Sequence, residues 1–341
     1  MHCYLHIGTE KTGTTLIQEF LHLNAEQLER VGLVYLRSAG YPNNKWLALA
    51  AFDVDRRDRW TVDKKVNTNE DMLDLQTRLA AEIQMELASK QPKSVVFSSE
   101  HFQSRLTRIN EIKRLKEILI SLGFNSFSVI VYLRDPLELA SSLYSTAIKM
   151  GNTAALRPSL PTAPNYKDLC DHQATIERFS QVFTAQDSQL IVRLFERTEL
   201  KNQSVLDDFL ALLGLDQLDG FVMPKAENKS LSNLGLALLR RVNAQIPNLN
   251  EKDSILMRAQ VIAKFERYFT EDRYVMPPEV HKAYEQAFKD SNEWVRARFF
   301  SSRASLFKPN TRPQAHVELP DSPLLDKVAD LFCRAWLSDR Q

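Results

Sequence analysis

The segment Leu5-His-Ile-Gly-Thr-Glu-Lys-Thr-Gly-Thr-Thr-Leu16 joins a short apolar alternation (Cys3, Leu5, Ile7) to a helical pattern, with two glycines and a lysine between them. Backbone N–H groups in such a turn, with the positive end of the helix that follows, form a receptor for an anion. In the phosphate loop of nucleotide hydrolases, G-x-x-x-x-G-K-[ST], the lysine directly follows the second glycine and reaches the β and γ phosphates. Thr14 holds that position here, and the lysine is Lys11, inside the loop. Its ammonium is expected over the strand end, at the 5′ side of a nucleotide. That placement argues against ATP hydrolysis and for another nucleotide-activated group. On this motif alone, a tight corner that merely needs Gly8 and Gly13 stays open.

A second segment narrows the reading. Ser126-Phe-Ser-Val-Ile-Val-Tyr-Leu133 is a β-branched and aromatic run suited to a buried parallel strand, and Arg134-Asp-Pro-Leu-Glu-Leu-Ala-Ser-Ser142 follows at once. Asp135 suits a helix N-cap and Pro136 a first turn, so Arg134 is expected at the carboxyl end of the strand. Ser142 then lies about 9 Å along the helix, within range of a site that a long arginine also reaches. An arginine with a hydroxyl is a sound holder for a terminal phosphate.

Lys11-Thr-Gly-Thr-Thr15 after the first strand, with Arg134 and Ser142 in a strand-Arg-Asp-Pro-helix setting, resembles the sulfotransferases that use 3′-phosphoadenosine-5′-phosphosulfate (PAPS). Ile191-Val-Arg-Leu-Phe-Glu196, the Asp208-Phe-Leu helix and Asn228-Lys-Ser-Leu-Ser232 are weaker echoes, so the likeness spans residues 1 to about 300. It is closest in style to bacterial and carbohydrate-type members. The resemblance implies a P-loop-NTPase-like three-layer α/β/α fold with a central, mostly parallel sheet, PAPS as sulfuryl donor and PAP as product, with no obligatory metal. It assigns the 5′-phosphosulfate to the first motif: the N–H groups of Thr12, Gly13, Thr14 and Thr15, the hydroxyls of Thr14 and Thr15, and Lys11. The 3′-phosphate falls to Arg134 and Ser142. The acceptor is expected to be a hydroxyl compound, a saccharide or glycolipid.

Sulfuryl transfer also needs a base. By analogy with phosphoryl transfer the transition state is loose and in line, so charge grows on the departing bridging oxygen, where Lys11 is placed to meet it. Ser98-Ser-Glu-His-Phe102 follows a predicted strand at the carboxyl edge, where α/β sites form. The resembling enzymes use a glutamate or histidine near this point. Glu100 is favoured over His101, and adjacent residues on an extended segment would point opposite ways. Glu10 is a departure, since many relatives in that family carry proline before the loop lysine, and it stands as a third candidate for proton transfer or acceptor recognition. Trp46 or Trp60 could stack on adenine or a sugar, or cover the core. Asn228 and Ser230 could complete a nucleotide loop, or Ser230 could cap a helix.

The elements that must position these groups alternate as in a doubly wound sheet. Strands are predicted at 3–7, 32–36, 94–98, 126–133 and 189–194. Helices are predicted at 14–28, 71–88, 109–122, 136–150, 166–183, 205–213, 231–243 and 278–299. Residues 39–69 read as a polar, aromatic insertion, and Asn152–Pro164 as a proline-rich lid or plain linker. A single domain is expected, with the nucleotide-binding core over about 1–215 and a helical portion over about 225–341.

Composition sets bounds. The 341 residues, 44% apolar, suffice for a large core. A net charge of +1 excludes a global polyanion-binding balance, so no nucleic-acid partner is expected. Arg105, Arg108, Lys113, Arg114 and Lys116 read as a solvated helix face. Three scattered cysteines and seven scattered histidines give neither disulfide framework nor metal spacing. With the first strand starting almost at Met1 and no apolar run of membrane length, a cytoplasmic enzyme is expected. Two rivals stand: a P-loop small-molecule kinase, which would need a lysine at position 14 and a Mg²⁺ carboxylate, and a non-catalytic nucleotide-binding protein on the same fold.

Overall fold

The computed structural model describes residues 1–153, 158–215, 219–224, 230–246, 251–270, 274–308 and 323–338. In chain order its elements are β1 (His2–Gly8), α1 (Thr14–Leu23), α2 (Ala25–Arg30), β2 (Leu33–Tyr35), α3 (Lys45–Ala50), α4 (Arg59–Asp63), α5 (Asn69–Lys90), β3 (Ser94–Ser98), α6 (His101–Arg105), α7 (Ile109–Ser121) and β4 (Ser126–Leu133). Then come α8 (Pro136–Lys149), α9 (Pro164–Cys170), α10 (His172–Val182), β5 (Ser188–Leu194), α11 (Val205–Leu212), α12 (Asn233–Gln245), α13 (Glu251–Tyr268), α14 (Pro278–Phe299) and α15 (Pro323–Ser338).

Cα proximity groups the chain into two compact units. The first holds Met1–Asp135, Lys167–Ala226 and Asp290–Lys308, and the second Pro136–Tyr166, Glu227–Lys289 and Pro309–Gln341. This grouping puts Arg134 in the first unit and Ser142, on α8, in the second.

The first unit is built on a five-stranded sheet in the order β2-β3-β1-β4-β5, parallel at every pairing. Alternation decides which side each residue serves. Cys3, Leu5, Ile7, Val95, Phe97, Val129 and Val131 pack on one face with Leu47, Leu79, Leu115 and Phe179 from α3, α5, α7 and α10. Val96, Ile130 and Tyr132 pack on the other with Ile17, Phe20, Leu28 and Phe209 from α1, α2 and α11. Two apolar layers around one sheet make the three-layer α/β/α arrangement that the strand pattern predicts. The sheet order places the carboxyl ends of β1, β3 and β4 side by side.

The second unit has its own core. Tyr144 and Ile148 of α8 meet Leu236, Leu239 and Val242 of α12, Val261 and Phe265 of α13, and Ala329 of α15.

Several expectations change. The helix predicted over 14–28 breaks at Asn24, whose amide donates to the carbonyls of Phe20 and Val222. The one predicted over 166–183 breaks at Asp171, whose carboxylate accepts the Ala174 N–H and caps α10. Residues 39–69 are less polar than they read, since Leu47–Phe52 are fully buried. The basic segment at 105–116 is not simply solvated: Arg105 reaches Asp58, Arg108 and Arg114 share Asp53, and Lys116 pairs with Asp187. All three cysteines are buried and free. Among the described residues no helix is long and apolar enough to cross a membrane.

Beneath the sheet edge lies a buried ionic network that the Arg193 and Asp208 echoes foreshadow. Asp208 accepts from the Tyr132 hydroxyl at 2.8 Å, from Arg193 Nε at 3.0 Å and from the Lys201 N–H at 3.0 Å. Burial works to raise its pKa, but these donors outweigh burial and hold it below the usual carboxylate range. The depressed native pKa means its contribution is present at neutral pH and is lost as pH falls through that value. Asp208→Ala is expected to cost about 2–3 kcal/mol, under the usual figure for a broken buried pair because the Arg193 side chain is one-third exposed. Urea unfolding at pH 7 checks this, and the deficit should shrink in acid.

Candidate active site

The loop after β1 is held from two directions. The Thr9 N–H and hydroxyl both donate to the Tyr132 carbonyl, at 3.0 and 3.1 Å, and the Thr12 hydroxyl donates to the Thr9 carbonyl at 2.6 Å. From β4, Arg134 Nη1 donates to the Lys11 carbonyl at 2.7 Å. Arg134 also lies over the Phe195 ring at 5.6 Å. Its own carbonyl is bonded by Nε2 of buried His172 at 2.8 Å. Nothing in the residue pattern marks His172, because only the fold brings the start of α10 to the end of β4.

Three residues of the loop have left-handed backbones: Gly8 at φ 97°, Lys11 at 63° and Gly13 at 80°. Gly13 is the N-cap of α1 and offers no capping side chain, and the first turn has no acidic residue. By contrast Asp58, Thr68, Asp171, Ser204 and Ser232 cap α4, α5, α10, α11 and α12 with their side chains. The Thr14 and Thr15 N–H groups have no intrahelical acceptor, and Thr15 is exposed. This uncapped, acid-free start of a ten-residue helix fits an anionic ligand.

Glu100 lies against this loop. A Cβ on Gly8 would come within 2.9 Å of Glu100 Cα, so only glycine allows the approach. Gln18 of α1 donates to Glu100 Oε2 at 2.9 Å and to the Ser98 carbonyl at 3.4 Å, fixing the carboxylate with an acceptor oxygen toward the helix. His101 does not point away as an extended segment requires. Glu100 is helical (φ −61°, ψ −18°) and begins α6, so His101 Nε2 sits 3.7 Å from Glu100 Oε1. Burial lowers the His101 pKa, Glu100 opposes the shift, and Arg105 and Lys45 add to it. His101 packs edge-on to Trp60 at 4.7 Å.

Glu10 is partly buried, and its pKa is raised first by burial and then by the Glu100 charge, against the pull of Ser104, Lys11 and Arg105. Glu10, Glu100 and Lys11 therefore form one electrostatic cluster, and Glu10 holds its proton to higher pH than an ordinary carboxyl. His6, below the loop, bonds Ser98 Oγ at 2.8 Å, and burial pushes its pKa down to about 3. It stays neutral and serves packing. Trp46 and Trp60, where the sequence left open stacking surfaces, already have protein neighbours: Lys45 and Lys64 on Trp46, Phe52 and Arg105 on Trp60. Ser230 is described but Asn228 lies outside the described residues, as do residues 154–157 of the proline-rich segment.

The first unit thus brings Lys11, Thr12, Gly13, Thr14, Thr15, Glu100, His101 and Arg134 to one sheet edge. Gln18 and His172 are the additions, each identified by a hydrogen bond that only the fold creates.

The chain matches no known protein-family profile. It is 24% identical over 210 residues to an uncharacterised protein of Archaeoglobus fulgidus, a match that spans 61% of this chain and 54% of that protein. Among solved structures it is similar to a sulfotransferase from Alicyclobacillus acidocaldarius (16% identity, TM-score 0.40, 77% of this chain and 94% of that one). It is also similar to the sulfotransferase domain from the curacin biosynthetic pathway (13%, TM-score 0.37, 83% and 96%). A structure of the PezAT toxin-antitoxin system of Streptococcus pneumoniae is similar too (10%, TM-score 0.32, 77% and 86%). Function is therefore read from the site itself.

Gly8→Ala is expected to destabilise the protein by about 2–4 kcal/mol, since it adds a strained φ to a clash with backbone that cannot move aside. Thermal melts of the variant check this, and a loss under 1 kcal/mol would show that Glu100 can back away from the loop.

Proposed function

We propose that this protein transfers the sulfuryl group of PAPS to an acceptor hydroxyl on a saccharide or glycolipid. The observation that supports this most is the convergence of an uncapped helix start, a lysine inside the loop and a glycine-permitted carboxylate on one sheet edge. The α1 N–H groups of Thr14 and Thr15, with those of Thr12 and Gly13, receive the 5′-phosphosulfate. Arg134 takes the 3′-phosphate.

Glu100 is the base. It accepts the hydroxyl proton as the acceptor oxygen bonds to sulfur, and Lys11 meets the negative charge that stays on the 5′-phosphate oxygen as the S–O bond breaks. The products are a sulfate ester and PAP, so atoms and charge balance with the proton on Glu100. Gln18 supports the role, because its amide N–H donates to Glu100 Oε2 and holds the carboxylate in place. His101, beside Glu100, is a reserve position for the proton, and Glu10, with its raised pKa, shapes the charge around Lys11.

Arg134→Ala should remove most of the preference for PAP over 5′-AMP, on the order of 2–4 kcal/mol by titration calorimetry. Its effect reaches the loop as well, through the lost bond to the Lys11 carbonyl. Equal affinity of the wild type for the two nucleotides would contradict the assignment.

Lys11→Ala should lower kcat by about 10²-fold while PAP affinity holds within a small factor. Glu100→Gln should cost about 10²–10⁴-fold in kcat and His101→Ala far less. A lifeless His101→Ala beside a near-normal Glu100→Gln would reverse the two roles, and retained activity in both would pass the base to Glu10.

A further inference from the structure

The chain between β2 and α3 is fastened to the site. The Asn44 N–H donates to the Ser98 carbonyl at 3.1 Å, and Asn44 Oδ1 accepts the Ser98 N–H at 2.8 Å. Asn44 therefore prolongs the end of β3 sideways and sets the start of α3 two residues from Glu100. Tyr35 steadies the same stretch by donating to the Pro42 carbonyl at 2.8 Å.

Two ammonium groups are held beside one ring here. Lys45 Nζ lies 4.5 Å and Lys64 Nζ 3.9 Å from the Trp46 ring centre. Each ammonium is attracted to the indole face, set against repulsion between the like charges. Among the described residues no carboxylate lies within 4 Å of either. The neighbouring guanidinium groups differ, for Arg56 pairs with Glu111, Arg105 with Asp58, and Arg108 and Arg114 with Asp53. Asp53, Asp58 and Glu111 are thus matched to arginines, while Lys45 and Lys64 lie against Trp46. The Lys45 charge reaches the site, since Lys45 and Arg105 both act on His101 in the direction of positive neighbours, and the Lys64 N–H donates to the carbonyl of Trp60, the ring that packs on His101.

We infer that the acceptor presented to Glu100 is anionic, a carboxylate-bearing saccharide whose charge is held by Lys45 and Lys64 on Trp46. This rests on the sulfuryl-transfer reading and deepens it. A uronate carboxylate can pair with the two ammonium groups, which a neutral acceptor cannot. The rigid Asn44 link fixes the spacing between charge and base, so the device selects position as well as charge.

The probe is tetragalacturonate, with its methyl ester as the neutral twin, titrated calorimetrically into the full chain with PAP present. The acid form should bind at least about 10-fold more tightly than the ester, and Lys45→Ala/Lys64→Ala should erase that difference while PAP affinity is unchanged. Lys45→Arg/Lys64→Arg, which keeps the charge and the packing, should retain most of it. No binding of the acid form, equal binding of the ester, or an unaffected double alanine variant each overturns the inference. PAP affinity in the same samples separates the two readings. Tight PAP binding without charge preference sinks the anionic acceptor alone, and charge-selective saccharide binding without PAP binding sinks the sulfuryl-transfer reading alone.

Discussion

The Lys11 carbonyl accepts a hydrogen bond from Arg134, and Thr9 is bonded twice to the Tyr132 carbonyl. These contacts tie the loop after β1 to the end of β4, and the rest of the site depends on that tie. A loop with three left-handed residues has little reason to hold one conformation by itself. Pinned to the neighbouring strand, it presents the start of α1 and the Lys11 side chain from a fixed frame. The parallel order β3-β1-β4 makes this possible by setting three carboxyl ends side by side. The cores on both faces stiffen that edge, so the anion-binding end rests on packing distant from it.

Opposing charges give the site its direction. The uncapped helix start and Arg134 make one end suited to phosphates, while Glu10 and Glu100 lie close enough for each to feel the other. Burial and, less strongly, the Glu100 charge raise the Glu10 pKa. Gln18 donates to Glu100 Oε2 and holds that carboxylate in place. Glu10, which keeps its proton to higher pH than an ordinary carboxyl, adds less repulsion toward an anion than its type suggests.

Much of this was legible in the residues. The five strands stand out because each is a short apolar run bounded by turn residues, Arg134 because it follows a strand directly, and Lys11 because it lies in the glycine-bounded loop after one. Side-chain periodicity could not show the helix breaks at Asn24 and Asp171, where the apolar rhythm continues while side-chain hydrogen bonds mark the break. The one-turn α6 was too short to leave a periodic trace, and missing it turned Glu100 and His101 away from each other. Gln18 and His172 carried no signal at all. Their roles come from contacts across 82 and 38 residues of chain, which depend on the completed sheet. Asp208 lies between these cases, a motif echo whose meaning is a buried ion pair.

The most direct measurement follows the sulfuryl group itself. The wild-type protein is incubated with PAPS labelled on sulfur and a mixture of neutral and acidic oligosaccharides, without added metal, and label and nucleotide are counted in the separated products. The account predicts label in the saccharide fraction, acid-stable as a sulfate ester, with one PAP formed for each ester. Intact PAPS in that mixture, alongside transfer of the γ-phosphate from Mg²⁺-ATP to the same saccharides, would contradict it.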